Sequence, residues 1–409
     1  MRVCVVGSGG REHALAHVLA RTATSVVVTP GNPGIPGSIA TRPEEVDADL
    51  FVVGPEAPLV DGLADRLRAQ GKLVFGPGAD GARLEGSKAW MKEVLIDAGV
   101  PTAAYGAFTA DEERAALDFL ATMPGPYVVK TDGLAAGKGV VVTESFDEAR
   151  AAVIAYLSGS AFGAAGQRLV IEEFLAGPEL SILAVCDGRR AVALAPAQDF
   201  KRIGDGETAP NTGGMGAYSP VPVAGDDVVA EVMATAVEPT LAALRERGVD
   251  YRGVLYAGLV LTAAGPKVLE YNVRFGDPET QVVVPRLSSD LVELLAQAAA
   301  GEISVTPTFV DDAFVTVICA AEHYPAAPRI GDVIEGIDAA AATGATVFCA
   351  GVAADADGRL VTAGGRVLAV TGSGATLGDA REAAYSAVDL ISWPGMQRRT
   401  DIARRAAGQ

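Results

Sequence analysis

The chain has 409 residues, of which 49% are hydrophobic and 21% are charged, and its formal net charge is −18. The length favours two to four domains over a single core. The negative charge would repel nucleic-acid phosphates and anionic membranes, so neither is an expected partner, although local backbone N–H groups could still hold a small phosphorylated molecule.

The cysteines and the N-terminus indicate the cellular compartment. The four cysteines lie far apart and form no Cys-x-x-Cys pair, which disfavours a zinc knuckle and a redox pair. The chain starts with a strand and a glycine-rich turn instead of a signal peptide, and no apolar run reaches the length of a membrane span. We therefore expect a cytoplasmic protein.

Strands and helices alternate over the first hundred residues. Short apolar strands are predicted at Arg2–Val6, Ser25–Thr29, Asp49–Val53 and Leu73–Phe75, and each of them runs into or close to a glycine-rich turn. This alternation predicts a doubly wound parallel sheet, in which ligands bind at the carboxyl ends of the strands. After Pro101 the pattern changes to α+β.

The first candidate site is the turn Gly7-Ser-Gly-Gly-Arg-Glu12. A strand that leads through glycines into a helix forms an anion cradle, because the first helical N–H groups lack partners. Glu12 stands where a dinucleotide fingerprint needs glycine, and no acidic residue follows the second strand. A sugar phosphate is thus a better ligand than NAD, with a ligand-free tight turn as the alternative. His13 and His17 are read as satisfied histidines and not as a metal pair.

The second candidate is the loop Lys130-Thr-Asp-Gly-Leu-Ala-Ala-Gly-Lys-Gly139. Its backbone N–H groups can close over a polyphosphate while Lys130 and Lys138 neutralise the charge. The spacing is not that of a Walker A motif. A mobile hairpin with surface lysines is the alternative, but it does not explain why Lys130 ends an apolar strand.

The strand Val170–Leu175, with Glu179 shortly after it, gives a third and weaker signal. The edge of an apolar strand can pair with adenine through its backbone groups, and a following carboxylate can accept hydrogen bonds from ribose hydroxyls. Strand–turn–glutamate is a common pattern, so this segment alone decides nothing.

The fourth candidate is the predicted strand Val268–Phe275, whose period-two alternation places Glu270, Asn272 and Arg274 on one face. Two oxygen ligands beside substrate phosphates suit Mg²⁺. The guanidinium of Arg274 can bind a carboxylate or a phosphate with two hydrogen bonds. The alternative is the solvated outer face of an edge strand.

A fifth cluster combines Asp199, Lys201 and Arg202 with the glycine-rich loop Asn211–Gly216. Glycines at this density let the backbone approach a small ligand closely. A flexible loop without a ligand is the alternative.

Seven motifs together resemble one family, the glycinamide ribonucleotide synthetases of the ATP-grasp superfamily. They are GSGGREHALA, VGPEAPLVDGLAD, EGSKAWMK, KTDGLAAGKGV, IEEFLAGPELS, NTGGMGAYSP and EYNVRFGDPETQ, and with the segments at Gly364 and Arg399 they cover nearly the whole chain. Thr131 replaces the usual alanine and Val273 a common cysteine. The strand Tyr256–Leu261 carries no acidic metal ligand, which leaves the number of metal ions open.

The resemblance implies a multidomain α/β and α+β fold. It has an N-terminal doubly wound parallel sheet, central ATP-grasp domains and a small C-terminal α+β domain. The implied units are a substrate-binding α/β domain at 1–100, a small ATP-grasp subdomain with the phosphate lid loop at 101–187, a large subdomain with the metal site at 188–305 and the C-terminal domain at 306–409.

The resemblance also implies roles for particular residues. The residues implied to bind ATP are Lys88, Lys130, Gly133, Gly137, Lys138, Gly139, Glu172, Glu173, Leu175 and Glu179. Glu270 and Asn272 would hold Mg²⁺ or Mn²⁺. The residues implied to bind substrate are Gly9, Gly10, Arg11, Glu12, Asn32, Gly214, Met215, Gly216, Arg274 and Asp277. Arg274, Lys138 and Asp199 would be catalytic.

The implied reaction is the ATP-dependent joining of glycine to 5-phosphoribosylamine through an acyl phosphate, which gives glycinamide ribonucleotide in purine synthesis. We expect the enzyme to be a monomer. Three alternatives remain: another ATP-grasp ligase or carboxylase, which would lack NTGGMGAYSP; a Rossmann oxidoreductase, which Glu12 disfavours; and a non-catalytic nucleotide-binding regulator, which should have lost some of the charged residues named above.

Overall fold

The computed structural model describes residues 1–133, 139–159 and 168–408. Within these residues the chain forms three four-stranded sheets, one five-stranded sheet and two short two-stranded ribbons. None of the described helices combines the length and the apolar character needed to cross a membrane.

The N-terminal sheet is parallel, as predicted. The elements of this part of the chain are β1 (Arg2–Gly7), α1 (Gly10–Leu19), β2 (Ser25–Pro30), β3 (Leu50–Val53), α2 (Glu56–Val60), α3 (Leu63–Ala69), β4 (Leu73–Phe75), α4 (Ala79–Gly86) and α5 (Lys88–Asp97). The strand order is β2-β1-β3-β4, and every neighbouring pair is parallel. All four residues of β3 are buried, because protein covers both faces of the sheet.

The next sheet is antiparallel and carries two helices on one face. Its elements are β5 (Tyr105–Thr109), α6 (Glu113–Thr122), β6 (Tyr127–Thr131), β7 (Val140–Thr143), α7 (Phe146–Leu157) and β8 (Arg168–Glu173), and the strand order is β5-β8-β6-β7. Val129 and Ile171 pack against the helices in one hydrophobic cluster. Their neighbours Lys130 and Glu172 therefore point to the opposite face of the sheet.

The central part contains a second antiparallel sheet, in the order β10-β9-β15-β16. The elements of this part are β9 (Glu179–Asp187), β10 (Ala191–Ala193), β11 (Gln198–Asp199), β12 (Arg202–Gly204), β13 (Thr208–Asn211), β14 (Gly216–Ser219), α8 (Asp226–Val232), α9 (Glu238–Glu246), β15 (Arg252–Thr262), β16 (Gly265–Asn272), α10 (Thr280–Val283) and α11 (Leu291–Ala300).

Two elements of this part are interrupted or end early. The helical segment 226–246 contains the π-helical turn Met233–Val237, next to Pro239, whose missing N–H cannot continue the α-helical ladder. The strand predicted to reach Phe275 ends at Asn272. Beyond it, the Val273 N–H donates to Glu85 Oε2 at 2.8 Å, so a side chain of α4 replaces the neighbouring strand.

The C-terminal part adds β17 (Ala313–Ala320), α12 (Ile337–Ala342), β18 (Thr346–Cys349), β19 (Val352–Ala354), β20 (Leu360–Thr362), β21 (Arg366–Gly374) and α13 (Leu377–Val388). Its five-stranded antiparallel sheet has the order β11-β14-β17-β21-β18 and so takes two strands from the central part of the chain. Thr376 and Asp379 form a capping box at the start of α13.

His13 joins α1 to the C-terminal sheet. The Cys349 N–H donates to His13 Nδ1 at 2.8 Å, and the imidazole meets the Phe348 ring edge-on at 5.5 Å. Burial lowers the pKa of His13 to about 4, and His17 adds to the effect. The imidazole is therefore neutral at pH 7 and acts as a hydrogen-bond acceptor, which confirms the reading of His13 as a satisfied histidine.

We expect His13 to reduce acid stability. Its pKa is about 4 when folded, against 6.5 for the free side chain, so the unfolded chain binds the proton first, and stability falls as the pH drops from 6.5 towards 4. Between pH 7 and 5 this linkage amounts to about 2 kcal/mol. His13→Gln keeps an acceptor that does not titrate, so urea unfolding of this variant should depend less on pH. Equal pH dependence of both proteins would contradict the assignment.

Candidate functional site

The described parts of the chain meet at a cleft of about 770 Å³. Helices α1, α2, α4 and α5, the two antiparallel sheets and the C-terminal sheet all contribute to its walls. The predicted site residues that line it are Arg11, Lys88, Lys130, Gly133, Gly139, Glu172, Glu173, Leu175, Glu179, Asp199, Glu270, Asn272, Arg274 and Asp277. Gly137 and Lys138 lie outside the described residues. The sequence motifs therefore converge on one site.

One end of the cleft has apolar walls and a buried carboxylate. Val128, Leu175 and Leu269 line it, and the Glu172 side chain is only 1% exposed. Among the residues that the structure describes, neither carboxylate oxygen of Glu172 receives a well-directed hydrogen bond, although Lys130 Nζ lies 2.9 Å from Oε2. This end can hold a flat, largely apolar ring that carries a hydrogen-bond donor.

Glu173, the next residue of β8, faces a different set of partners. Its Oε1 lies 3.0 Å from Lys267 Nζ and accepts a hydrogen bond from the Ala104 N–H at 3.1 Å. The hydrogen bond from Lys267 lowers the pKa of Glu173. The side chain of Glu173 thus connects β8 to β16 and to the segment before β5.

Lys88 and Lys130 line the cleft beside the lysine- and glycine-rich loop. Lys88 is the first residue of α5 and donates from Nζ to the Gly133 carbonyl at 3.2 Å. Asp132 holds the loop to this helix, because its Oδ1 accepts from the Ala89 N–H at 3.1 Å. Lys130 follows on β6. The described ends of the lysine- and glycine-rich loop, Gly133 and Gly139, thus lie beside two ammonium groups suited to a polyphosphate.

Glu270 and Asn272 lie on β16 among these cations. Burial would raise the pKa of Glu270, but the ammonium groups of Lys130, Lys201 and Lys88 outweigh it and lower that pKa, so the carboxylate is ionised. Within the described residues no group of three or more histidine, cysteine, aspartate or glutamate side chains has metal-binding geometry. One carboxylate and one amide oxygen fit Mg²⁺ or Mn²⁺, since such ions take further oxygens from phosphates and water.

Arg274 is held at the cleft by three side chains. Its Nη2 lies 3.1 Å from Glu85 Oε1 and donates to Asn272 Oδ1 at 3.2 Å, while its Nε lies 3.3 Å from Glu56 Oε2. Burial would lower the pKa of Arg274, but Glu85 and Glu56 outweigh it and raise that pKa. Sequence reasoning assigned Arg274 and missed both glutamates, although each stands in one of the quoted motifs.

An acidic cluster around Lys201 also lines the cleft. Lys201 Nζ lies 2.7 Å from Asp199 Oδ1 and 2.9 Å from Glu179 Oε2. Burial raises the pKa of Asp199, while Lys201 opposes this. Glu279, another residue without an assigned role, accepts from the Tyr256 hydroxyl at 2.8 Å. Glu279 also acts on Arg274, whose pKa it helps to raise. Carboxylates and a guanidinium in one cleft suit a small zwitterion.

The polar groups of the glycine turn Gly9–Glu12 form hydrogen bonds largely with one another. Glu12 is 2% exposed and accepts from the Gly9 N–H at 2.6 Å and from Arg11 Nε at 2.5 Å. Asn32 donates from Nδ2 to the Ser8 carbonyl at 2.8 Å and to the Ala350 carbonyl at 3.0 Å. Gly9, Gly10, Glu12 and Asn32 thus support the rim, where Arg11 lines the cleft.

The loop Gly214–Gly216 also lies behind the cleft wall. Gly214 has φ +109°, and a Cβ there would lie 2.5 Å from Pro278 Cδ; one at Gly216 would lie 2.7 Å from the Thr316 carbonyl oxygen. Met215 between them is fully buried. These glycines are explained by close packing, and contact with substrate stays a prediction.

The C-terminal sheet contributes a further arginine, Arg366, to the cleft. Arg366 Nη2 lies 3.0 Å from Asp277 Oδ2, and its Nη1 donates to the Asp277 carbonyl at 2.7 Å. Burial would raise the pKa of Asp277, but Arg366 and Arg11 outweigh it and lower that pKa. Arg366 was part of a recognised segment without an assigned role.

Comparisons with known proteins agree with this architecture. Three family models match, described as the phosphoribosylglycinamide synthetase N domain at residues 1–85, ATP-grasp (A) domain at 86–280 and C domain at 314–405. They confirm the predicted order of a parallel-sheet domain, an ATP-grasp part and a C-terminal domain.

Individual relatives match over their full length. The phosphoribosylamine–glycine ligase of Mesorhizobium japonicum is 47% identical over 100% of this chain and 99% of its own, and that of Streptomyces coelicolor is 48% identical over 100% of both. The crystal structure of the Thermotoga maritima phosphoribosylamine–glycine ligase matches with a TM-score of 0.86 at 36% identity, covering 98% of this chain and 100% of that one.

A more distant structure shares the fold alone. It is the biotin carboxylase domain of Hydrogenobacter thermophilus 2-oxoglutarate carboxylase, with a TM-score of 0.73 at 17% identity over 97% of this chain and 91% of that one. The family models and the full-length relatives decide the assignment: the chain belongs to the phosphoribosylglycinamide synthetase family.

Proposed function

We propose that this chain uses ATP to join glycine to 5-phospho-D-ribosylamine, giving glycinamide ribonucleotide, ADP and phosphate in purine synthesis. The names of its full-length relatives support this activity. The observation that carries the proposal is the meeting of Lys88, Lys130, Glu270, Asn272 and Arg274 in one cleft. These groups are suited to transfer of a phosphoryl group to a carboxylate.

The reaction has two steps. A carboxylate oxygen of glycine attacks the γ-phosphorus of ATP, and ADP leaves. The amine of phosphoribosylamine then attacks the carbonyl carbon of glycyl phosphate, phosphate leaves, and the nitrogen loses a proton. Arg274 orients the glycine carboxylate, and Lys88 and Lys130 balance the phosphate charge, with Lys138 assigned the same role from sequence. An Mg²⁺ or Mn²⁺ ion held by Glu270 and Asn272 would offset further negative charge on the phosphates.

The nucleotide occupies the apolar end of the cleft. The adenine ring fits between Val128 and Leu269, where the carboxylate of Glu172 can accept from its amino group. The backbone from Glu173 to Leu175 borders the ring, and Glu179 accepts from the ribose hydroxyls. Gly133 and Gly139, which line the cleft, lie beside the phosphates, and Gly137 is assigned to them from sequence.

The two other substrates occupy the opposite end. Arg11 and Arg366 balance the phosphate of phosphoribosylamine, and the turn Gly9–Glu12, Asn32 and Asp277 hold its sugar. Asp199 and the loop Gly214–Gly216 set the position of glycine. We also propose that the protein is a cytoplasmic monomer with small-molecule partners, so light scattering should give the mass of one chain.

Gly54→Ala should weaken binding of phosphoribosylamine. A Cβ at Gly54 would lie 2.0 Å from Glu12 Oε1, so the carboxylate that caps α1 must move and shift the turn Gly9–Glu12. We expect the KM for phosphoribosylamine to rise at least about tenfold, corresponding to roughly 1.4 kcal/mol, with little change in the KM for ATP. Gly71→Ala is the control, because nothing lies within 4 Å of its added Cβ. Its φ of +75° strains an alanine at this turn, which should lower stability and leave both KM values unchanged. Equal changes in both KM values would contradict this assignment.

Release of ADP tests the proposed function. The protein is incubated with Mg²⁺ and ATP, and glycine and freshly made phosphoribosylamine are added singly and together. ADP release that requires both substrates, and that stops when D-alanine or bicarbonate replaces glycine, supports the proposal. If ATP binds but the two substrates together give no ADP, the reaction is a different one on the same fold.

A further inference from the structure

Lys92 is a buried ammonium group that does not line the cleft. It lies on α5 with a side-chain exposure of 0%, and its Nζ donates to Thr102 Oγ1 at 2.7 Å. The ring centroid of Tyr105 is 5.6 Å away. Burying an ammonium group is unfavourable unless an opposite charge compensates it. Lys92 therefore needs a negatively charged partner at this buried position.

That partner is Glu172, which lies between two lysines. Lys92 Nζ is 3.3 Å from Glu172 Oε1, and Lys130 Nζ is 2.9 Å from Oε2. All three side chains are at most 5% exposed. Glu172 and Lys130 line the cleft, whereas Lys92 reaches Glu172 from behind. The three groups carry a net charge of +1, and without Lys92 this charge would be zero.

We propose that Lys92 is a positioning residue, which balances the charge of Glu172 so that the charge of Lys130 stays available to the phosphates of a nucleotide. This inference rests on the proposed function, in which Lys130 contacts ATP. When an anionic phosphate takes up the ammonium of Lys130, Glu172 keeps a partner in Lys92 and is not left as a buried, uncompensated carboxylate. Burial lowers the pKa of Lys92 to about 8, with Glu172 opposing, so the group is charged at pH 7.

The test is a double-mutant cycle on ADP binding, measured by calorimetry at pH 7 on the full chain with Mg²⁺. Lys92→Met should weaken ADP binding at least about tenfold, or about 1.4 kcal/mol, because Glu172 then neutralises Lys130. In a Glu172→Gln background the same change should cost less than about twofold, because the charge that Lys92 balances is gone. Lys92→Arg keeps the charge and should stay near the wild-type affinity.

Two controls separate positioning from folding. Lys72→Met removes another lysine, whose Nζ donates to the carbonyls of Glu44 and Val46 at 2.8 and 3.1 Å, away from the cleft, and it should leave ADP binding unchanged. If Lys92→Met does not fold, Lys92→Gln replaces it, since an amide can still contact Thr102. Equal losses in both backgrounds, or unchanged ADP binding, would overturn the inference. Wild-type protein that binds ADP without ligase activity would instead count against the proposed function.

Discussion

Replacing Arg274 by alanine is expected to lower kcat/KM for glycine by about a thousandfold. Arg274 is the guanidinium that we assign to the glycine carboxylate, and loss of one preorganised charged contact of this kind costs about 100- to 1000-fold in rate. Its neighbours add to the effect, because Glu85, only 10% exposed and 3.1 Å from Nη2, would lose its partner. Steady-state ADP release over a range of glycine concentrations measures the loss.

Arg274→Lys separates the chemistry from folding. Lysine keeps a positive charge near Glu85 but loses the planar, two-pronged donor set that matches a carboxylate. We expect this variant to melt near the wild-type temperature and still lose most of its activity. Near-normal turnover of Arg274→Ala would remove the assigned role. An alanine variant that does not fold, together with a fully active lysine variant, would assign Arg274 to stability alone.

Glu270→Gln should have the second largest effect, on the metal dependence. Three ammonium groups hold this carboxylate in its ionised form, and an amide removes the one negative charge of the two proposed metal ligands. We expect the Mg²⁺ concentration needed for half-maximal ADP release to rise at least about tenfold, and kcat at saturating Mg²⁺ to fall about 100-fold.

The control for this variant is Glu302→Gln, which changes an exposed carboxylate outside the cleft. It should leave the Mg²⁺ titration unchanged. If Glu270→Gln needs no more Mg²⁺ than the wild-type protein, Glu270 is not a metal ligand, whatever its effect on kcat.

The fold was predictable wherever one segment carried its own pattern. Alternation of strands and glycine-rich turns was enough to predict the parallel N-terminal sheet, because each βα unit forms locally. Pairings between distant segments were not predictable in this way. β11 and β14 lie in the central part of the chain and join the C-terminal sheet, β14 by pairing with β17 and β11 by pairing with β14. No local pattern indicates such an exchange. The predicted domain boundaries stay predictions.

The site was predictable as a set of residues but not as a set of contacts. Period-two alternation brought out Glu270, Asn272 and Arg274, and the structure places Asn272 and Arg274 in contact. The glutamates that hold Arg274 are 218 and 189 residues away along the chain. A sequence contains no distance information over such a separation, so their role was visible only after folding. The role of Lys92 was not predicted for the same reason, because its partner Glu172 is distant along the chain.

The substrate-binding roles given to the turn at Glu12, to Asn32 and to the loop Gly214–Gly216 stay predictions, because packing and hydrogen bonds within the protein also account for these residues. The side chains of Glu12 and Asn32 form hydrogen bonds with backbone groups of the protein itself. These residues can therefore be required for the fold as well as for ligand binding. Gly214 and Gly216 are required by packing. Sequence reasoning cannot separate a glycine kept for close packing from one kept for a ligand, because both need the same absence of a side chain.

The fate of the carboxylate oxygens of glycine tests the central claim most directly. Glycine carrying oxygen-18 in both carboxylate oxygens is incubated with the protein, Mg²⁺, ATP and phosphoribosylamine, and the released phosphate is analysed by mass spectrometry. The proposed reaction transfers one labelled oxygen to each phosphate and leaves the other in the amide carbonyl of the product. Phosphate without label, formed together with the amide, would contradict a glycyl phosphate intermediate and with it the roles given to Arg274 and the lysines.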